Sequence, residues 1–188
     1  MDKKLLQLSD EEIIKKISEE QNAEYFSILY KRYYPKVLDK CYSFVKDRVL
    51  AEEMAEDIFS KVYEKLPSFK SRSLFSSWLY SVTYNHCIDH LRHATRLHYP
   101  DWNRENELPE IIDDTEEILE DINYDNLMII LEKIHPEEKA LLLMKYKDEI
   151  PMKQIGAALR ISEDAAKMRL KRARARVLYL YTKEFLRD

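Results

Sequence analysis

The strongest pattern of apolar and polar positions lies towards the C-terminal end of the chain. Ala166, Leu170, Ala173, Val177 and Tyr181 recur every three or four residues, the spacing that puts side chains on one face of an α-helix. Ser162 is a natural N-cap, Glu163 and Asp164 set negative charge where the helix dipole favours it, and neither Gly nor Pro interrupts residues 163–181. A long helix is predicted from Ser162. Lys167, Met168, Lys171 and Arg172 fall on the face opposite the apolar stripe, with Arg169, Arg174 and Arg176 at its flanks. Just upstream, residues 152–159 (MKQIGAAL) form a short amphipathic segment, joined to the long helix by Arg160 and Ile161 alone.

The same periodicity organises the N-terminal half. Ser9 and Glu12 make a capping box before Ile13, Ile14 and Ile17. Residues 23–45 carry Phe26, Leu29, Tyr30, Tyr33, Val37 and Cys41 on one side, interrupted by Pro35, which either kinks this helix or starts a new one. Residues 50–66 have the stripe Ala55, Ile58, Phe59, Val62 and Leu66, while Glu53, Glu56, Asp57, Ser60 and Glu64 face away. Pro67 ends that helix, and residues 68–77 (SFKSRSLFSS) read as a serine-rich loop. Trp78 opens a further helix to about residue 96, with Tyr80, Tyr84, Cys87, Ile88 and Leu91 inward. Further on, residues 125–135 and 136–147 are two helical segments split by Pro136, a good first-turn residue.

Composition narrows the class. Gly156 is the single glycine among 188 residues, and since strand turns lean on glycine, the chain is predicted to be all-α. A formal net charge of −4 conceals segregation: residues 100–126 hold eleven acids against one arginine, whereas the C-terminal helix is strongly basic. The expected organisation is therefore two small helical domains, 1–96 and 126–188, joined by an acidic linker at 97–125. Cys41 and Cys87 form no C-x-x-C and sit in helical patterns, as small core residues of a reducing compartment with no disulfide. No apolar run reaches membrane-spanning length and Met1, Asp2, Lys3 and Lys4 precede no signal-peptide core, so a cytoplasmic protein without membrane insertion is expected.

Candidate chemistry lies on three surfaces. A short helix, a tight turn and a basic second helix make a helix-turn-helix, whose second helix can lie in a DNA major groove through Lys167, Met168, Arg169, Lys171, Arg172 and Arg174. The charge run alone fits a solvated bundle face equally well. Phe69, Lys70, Arg72, Phe75 and Trp78, with Asn85, His86 and Arg92 on the following helix, interleave rings and cations as unpaired bases and phosphates require. The acids Glu53, Glu56 and Asp57, with Ser60, form either an ordinary solvated face or a dock for a basic partner helix. His86, His90 and His93 at i, i+4 and i+7 invite a metal, yet no carboxylate or Cys pattern completes a site, and Asp89 with Arg92 reads as an ion pair. No nucleophile, phosphate-binding loop, cofactor motif or zinc motif is visible, so no catalytic activity is expected.

Taken in order, the stretches AEEMAEDIFSKVYEKLPSFK and SWLYSVTYNHCIDHLR, then LEKIHPEEKALLLMKY and MKQIGAALRISEDAAKMRLKRAR, resemble regions two and four of the extracytoplasmic-function (ECF) class of bacterial sigma factors. The resemblance covers roughly 20–96 and 126–180. It implies that the acidic helix docks on the clamp helices of core RNA polymerase, and that 69–75 with Asn85 and its neighbours captures unpaired bases of the minus-ten promoter element. It also implies that the C-terminal helix reads the minus-thirty-five element as duplex, and that an anti-sigma factor regulates the protein. The sequence departs from the class pattern at Glu56, where Gln is frequent, at Ser81, where a basic residue is common, and at Ala166, where Val is usual. Arg160 stands where Gly is usual, a substitution disfavoured by about 1 kcal/mol if the position has positive φ. A stand-alone helix-turn-helix regulator and a helical adaptor remain the alternatives.

Overall fold

The computed structural model describes residues 7–20, 23–69, 74–95 and 123–186. Among them every regular element is a helix, and none of these helices is long and apolar enough to cross a membrane. The chain divides into two compact units, Met1–Thr95 and Arg96–Asp188. Lys70, Arg72 and residues 97–122 of the expected linker lie outside the described residues.

The first unit contains α1 (Asp10–Glu20), α2 (Ala23–Val45), α3 (Arg48–Lys65) and α4 (Phe75–Thr95). The capping box forms at the start of α1: the Ser9 amide donates to Glu12 Oε2 at 2.7 Å, and the Glu12 amide donates to Ser9 Oγ at 3.2 Å. Helix α2 is the centre of this unit, since α1, α3 and α4 all pack on it. It runs through Pro35 as one element. Pro35 is exposed and has no N–H to complete the helical ladder, but packing on three sides holds the helix continuous across it. Leu29, Val37, Ile58 and Val62 are fully buried, and each such side chain stabilises the fold by roughly 1.5–3 kcal/mol.

Two boundaries differ from the sequence reading. Helix α3 begins at Arg48, because the Asp47 carboxylate accepts from the Leu50 amide at 3.0 Å as an N-cap. Helix α4 begins at Phe75, three residues before Trp78, with Phe75 only 1% exposed. Ser76 and Ser77, which read as loop, are first-turn residues, and burial of the Phe75 ring draws this turn onto the core. Cys41 and Cys87 meet in that core as free thiols with sulfurs 3.9 Å apart. The hydrogen bond to Cys41, and burial, push the Cys87 thiol well up.

The second unit contains α5 (Tyr124–Leu131), α6 (Pro136–Leu142), α7 (Met152–Leu159) and α8 (Glu163–Tyr181). A π turn, Leu143–Lys147, extends α6, and another, Thr182–Leu186, follows α8. Helix α8 packs on α5, α6 and α7. Its buried residues are Ala166, Leu170, Ala173, Val177 and Tyr181, the predicted stripe. Helix α5 starts at Tyr124, inside the expected linker, because Asn123 caps it through the amides of Asp125 and Asn126. It stops at Leu131 instead of reaching residue 135. Pro136 pushes His135 out of helical geometry, to φ −59° and ψ 137°, and the His135 ring caps α6 by accepting from the Glu137 amide at 3.2 Å.

Candidate nucleic-acid interface and docking face

The helix-turn-helix is α7, a tight turn and α8. Arg160 closes α7 in the left-handed region, at φ 58° and ψ 40°, and Ser162 caps α8 by accepting from the Ala165 amide at 3.1 Å. Gly156 is buried against this turn; a Cβ there would lie 3.0 Å from the Ile161 carbonyl oxygen. The lone glycine of the sequence therefore permits the close passage of the chain that sets α8 across α7.

On α8 the side chains expected to face DNA divide into two groups. Lys167, Met168, Lys171 and Arg174 are exposed, Met168 at 53%. The Lys167 ammonium lies 2.8 Å from Glu163, whose carboxyl is held below its ordinary value by that hydrogen bond. Arg172 is half-buried. Arg169, a candidate for the DNA face, is turned inward instead: it donates to Glu137 Oε2 at 2.8 Å, and Glu137 is 1% exposed. Arg176 likewise faces buried Glu138 at 3.6 Å. Sequence reasoning misses this because flank positions do not say which neighbour a long side chain finds. The available signal is two acids directly after Pro136 matched by two arginines two helical turns apart.

At the start of α4 the rings of Phe69, Phe75 and Trp78 gather with centroids 5.1–6.0 Å apart. Phe75 cannot offer a stacking face, contrary to expectation: it is buried and meets Tyr33 edge-on at 5.4 Å. Phe69 and Trp78 are half-buried, with Leu74 beside them 65% exposed. Further along α4, Asn85 and Arg92 share one partner, Asp89, at 3.3 and 3.4 Å. His86 lies 3.0 Å from Lys61 of α3, and burial first, then the Lys61 charge, hold its imidazole below its ordinary value. No group of His, Cys, Asp or Glu among the described residues could hold a metal ion.

Glu53, Glu56, Asp57 and Ser60 all stand exposed along one side of α3. Beside them runs an aromatic row, of which the sequence marks Phe26, Tyr30 and Phe59 as core and does not mark Tyr34 and Tyr63: Tyr30 and Tyr34 of α2 stack at 4.9 Å, Tyr30 also meets Phe59, and Phe26 meets Tyr63. Burial, then the charge of Tyr34, pushes the Tyr30 hydroxyl up, with Glu56 adding to it. The acids thus border an apolar floor, a surface suited to a helix carrying cations and hydrophobic residues. The second unit has its own apolar groove, of about 570 Å³, lined by Tyr124, Leu127, Leu131, Tyr146 and Val177, with Lys147 and Arg174 also in its lining.

Two units, all helical among the described residues, the second with a helix-turn-helix of cationic outer face, define a nucleic-acid-binding architecture. Residues 29–97 match the family described as Sigma-70 region 2, and residues 124–177 match Sigma-70, region 4. The chain belongs to the sigma-70 family, in its ECF class. It is 28% identical over 156 residues to the ECF RNA polymerase sigma factor SigW of Bacillus subtilis (strain 168), covering 76% of this chain and 81% of that protein. Its fold is similar to that of CnrH, solved in complex with the cytosolic domain of CnrY, at TM-score 0.60 and 19% identity over 93% of this chain and 98% of the other. It is also similar to the sigma factor RpoE, solved with the anti-sigma factor NepR from Bartonella quintana, at TM-score 0.56 and 14% identity over 85% and 98%.

Proposed function

We infer that this chain is a sigma factor, which binds core RNA polymerase and directs promoter-specific transcription initiation. The observation that carries this is the presence, in one chain and in order, of both sigma-70 regions, the second presenting the exposed Lys167, Met168 and Lys171 on a helix-turn-helix. Residues 1–96 dock on polymerase and take the minus-ten element, 97–125 link, and 126–188 take the minus-thirty-five element. Glu53, Glu56, Asp57 and Ser60 meet a basic surface of polymerase, where opposite charge speeds and orients encounter. Phe69 and Trp78, together with Lys70 and Arg72, take unpaired bases and their phosphates. Lys167, Met168, Lys171, Arg172 and Arg174 face duplex DNA.

Asn85, His86 and Arg92 line the strand-capture side of α4, with Asp89 fixing two of them. The chain itself catalyses nothing: strand separation draws on the binding free energy of the captured bases. It works in the cytoplasm, where core polymerase and promoter are. An anti-sigma factor opposes it by covering the acidic face of α3 or the cationic face of α8; CnrH and RpoE, solved with CnrY and NepR, support such a partner. The test is equilibrium binding of the purified protein to core polymerase at low salt, followed by competition with promoter duplex present. Tight binding is expected; a protein that binds DNA but never polymerase is a stand-alone regulator.

A further inference from the structure

Three consecutive charged residues at the start of α6 are buried: Glu137, Glu138 and Lys139, at 1%, 0% and 4% exposure. Lys139 reaches Glu132 at 2.9 Å, a link between neighbouring segments. The two acids instead reach across to α8, Glu137 to Arg169 at 2.8 Å and Glu138 to Arg176 at 3.6 Å. Acids adjacent on one helix thus hold arginines seven residues apart on the other. Seven residues make about two turns, so both arginines leave α8 on nearly the same side.

Such a pair of contacts adds what hydrophobic burial alone does not supply. Hydrophobic burial is non-directional, and Ala166 and Ala173 give α8 little relief by which to register against α6. A slip of one residue rotates a helix by about 100° and would strand buried carboxylates without their cations, a strongly unfavourable state. Arg169 with Glu137 and Arg176 with Glu138 thus add a directional constraint on the rotation and height of α8, beside the Tyr181 hydroxyl, which accepts from the Asn123 amide at 2.9 Å.

We propose that Arg169 and Arg176 are positioning residues that bind Glu137 and Glu138 instead of DNA and set the register in which Lys167, Met168 and Lys171 meet the major groove. This rests on α8 being the duplex-binding helix. Promoter preference then depends on Glu137, a residue that touches no nucleic acid.

The experiment uses the full chain, titrated by fluorescence anisotropy against a promoter duplex and a random duplex over a salt series. Each lost phosphate contact lowers the slope of log affinity against log salt by about 0.9. Lys171→Met is expected to show that drop. Arg169→Met is expected to keep the slope on random DNA while losing about tenfold of the preference for promoter, the size of one displaced base contact. Glu137→Gln is expected to lose the same preference. Because removing one partner leaves a buried charge, the double variant Glu137→Met with Arg169→Met, which removes both, serves as the folded control; it is expected to keep the slope and lack the preference. An Arg169→Met slope that falls as far as that of Lys171→Met, or a double variant with full promoter preference, overturns the proposal. If Lys171→Met also leaves the slope unchanged, α8 is not the duplex-binding helix and both conclusions fall.

Discussion

Gly156 has no side chain where the carbonyl oxygen of Ile161 passes, and a Cβ placed there would sit 3.0 Å from that oxygen. The obstacle is backbone, which cannot swing aside. Gly156→Ala is expected to destabilise the second unit by about 1–3 kcal/mol through overpacking, although alanine is the better helix former. Four residues on, Arg160 occupies the left-handed region. Arg160→Gly removes that strain and is expected to stabilise by about 1 kcal/mol. Urea unfolding followed at amides of α7 and α8 measures both, and the two substitutions should move the midpoint in opposite directions.

Phe75 and Trp78 separate core from contact surface. Phe75→Ala opens a cavity in the first unit and is expected to cost about 3–5 kcal/mol, with unfolding visible by circular dichroism. Trp78→Ala and Phe69→Ala, at half-buried positions, are expected to retain the fold and the affinity for duplex. Their loss is in binding to single-stranded minus-ten sequence, by about 1–3 kcal/mol per missing ring.

His86 gives the first unit a pH dependence with a defined sign. Its imidazole titrates below the ordinary histidine value, chiefly through burial, then through Lys61, with His90 acting in the same direction and Asp57 and Asp89 opposing. The unfolded chain therefore binds a proton that the folded chain resists. The contribution is fully present above the unfolded pKa and is lost as pH falls through the lower folded one. Thermal unfolding should show the wild type losing stability on acidification below the ordinary histidine range. In His86→Gln, that part of the loss should vanish.

Much of this architecture is legible from periodicity alone. The stripe from Ala166 to Tyr181, the cap at Ser162 and the capping box of Ser9 and Glu12 depend on local spacing and near neighbours, which a sequence displays directly. The continuity of α2 through Pro35 is not legible there, since packing from three other helices overrides a local breaker. Phe75 reads as a stacking ring because its serine neighbours resemble a loop, whereas burial against Tyr33 decides its place. Arg169 reads as a DNA contact because helical phase fixes where a side chain begins, not which distant acid a long one reaches. For contacts between distant segments, such as Glu137 with Arg169 and Cys41 with Cys87, periodicity gives the face of each helix but not the partner it meets.

The most direct test of the central claim is run-off transcription with core RNA polymerase on genomic fragments, comparing the wild type with the triple variant Glu53→Lys, Glu56→Lys, Asp57→Lys. These side chains are exposed on α3, so the variant should fold and bind duplex through α8. Promoter-specific transcripts from the wild type that disappear with the triple variant are the predicted result. No promoter-specific transcripts from the wild type, with DNA binding intact, would contradict the assignment as an initiation factor. Transcripts that survive the charge reversal would place the polymerase contact elsewhere than on α3.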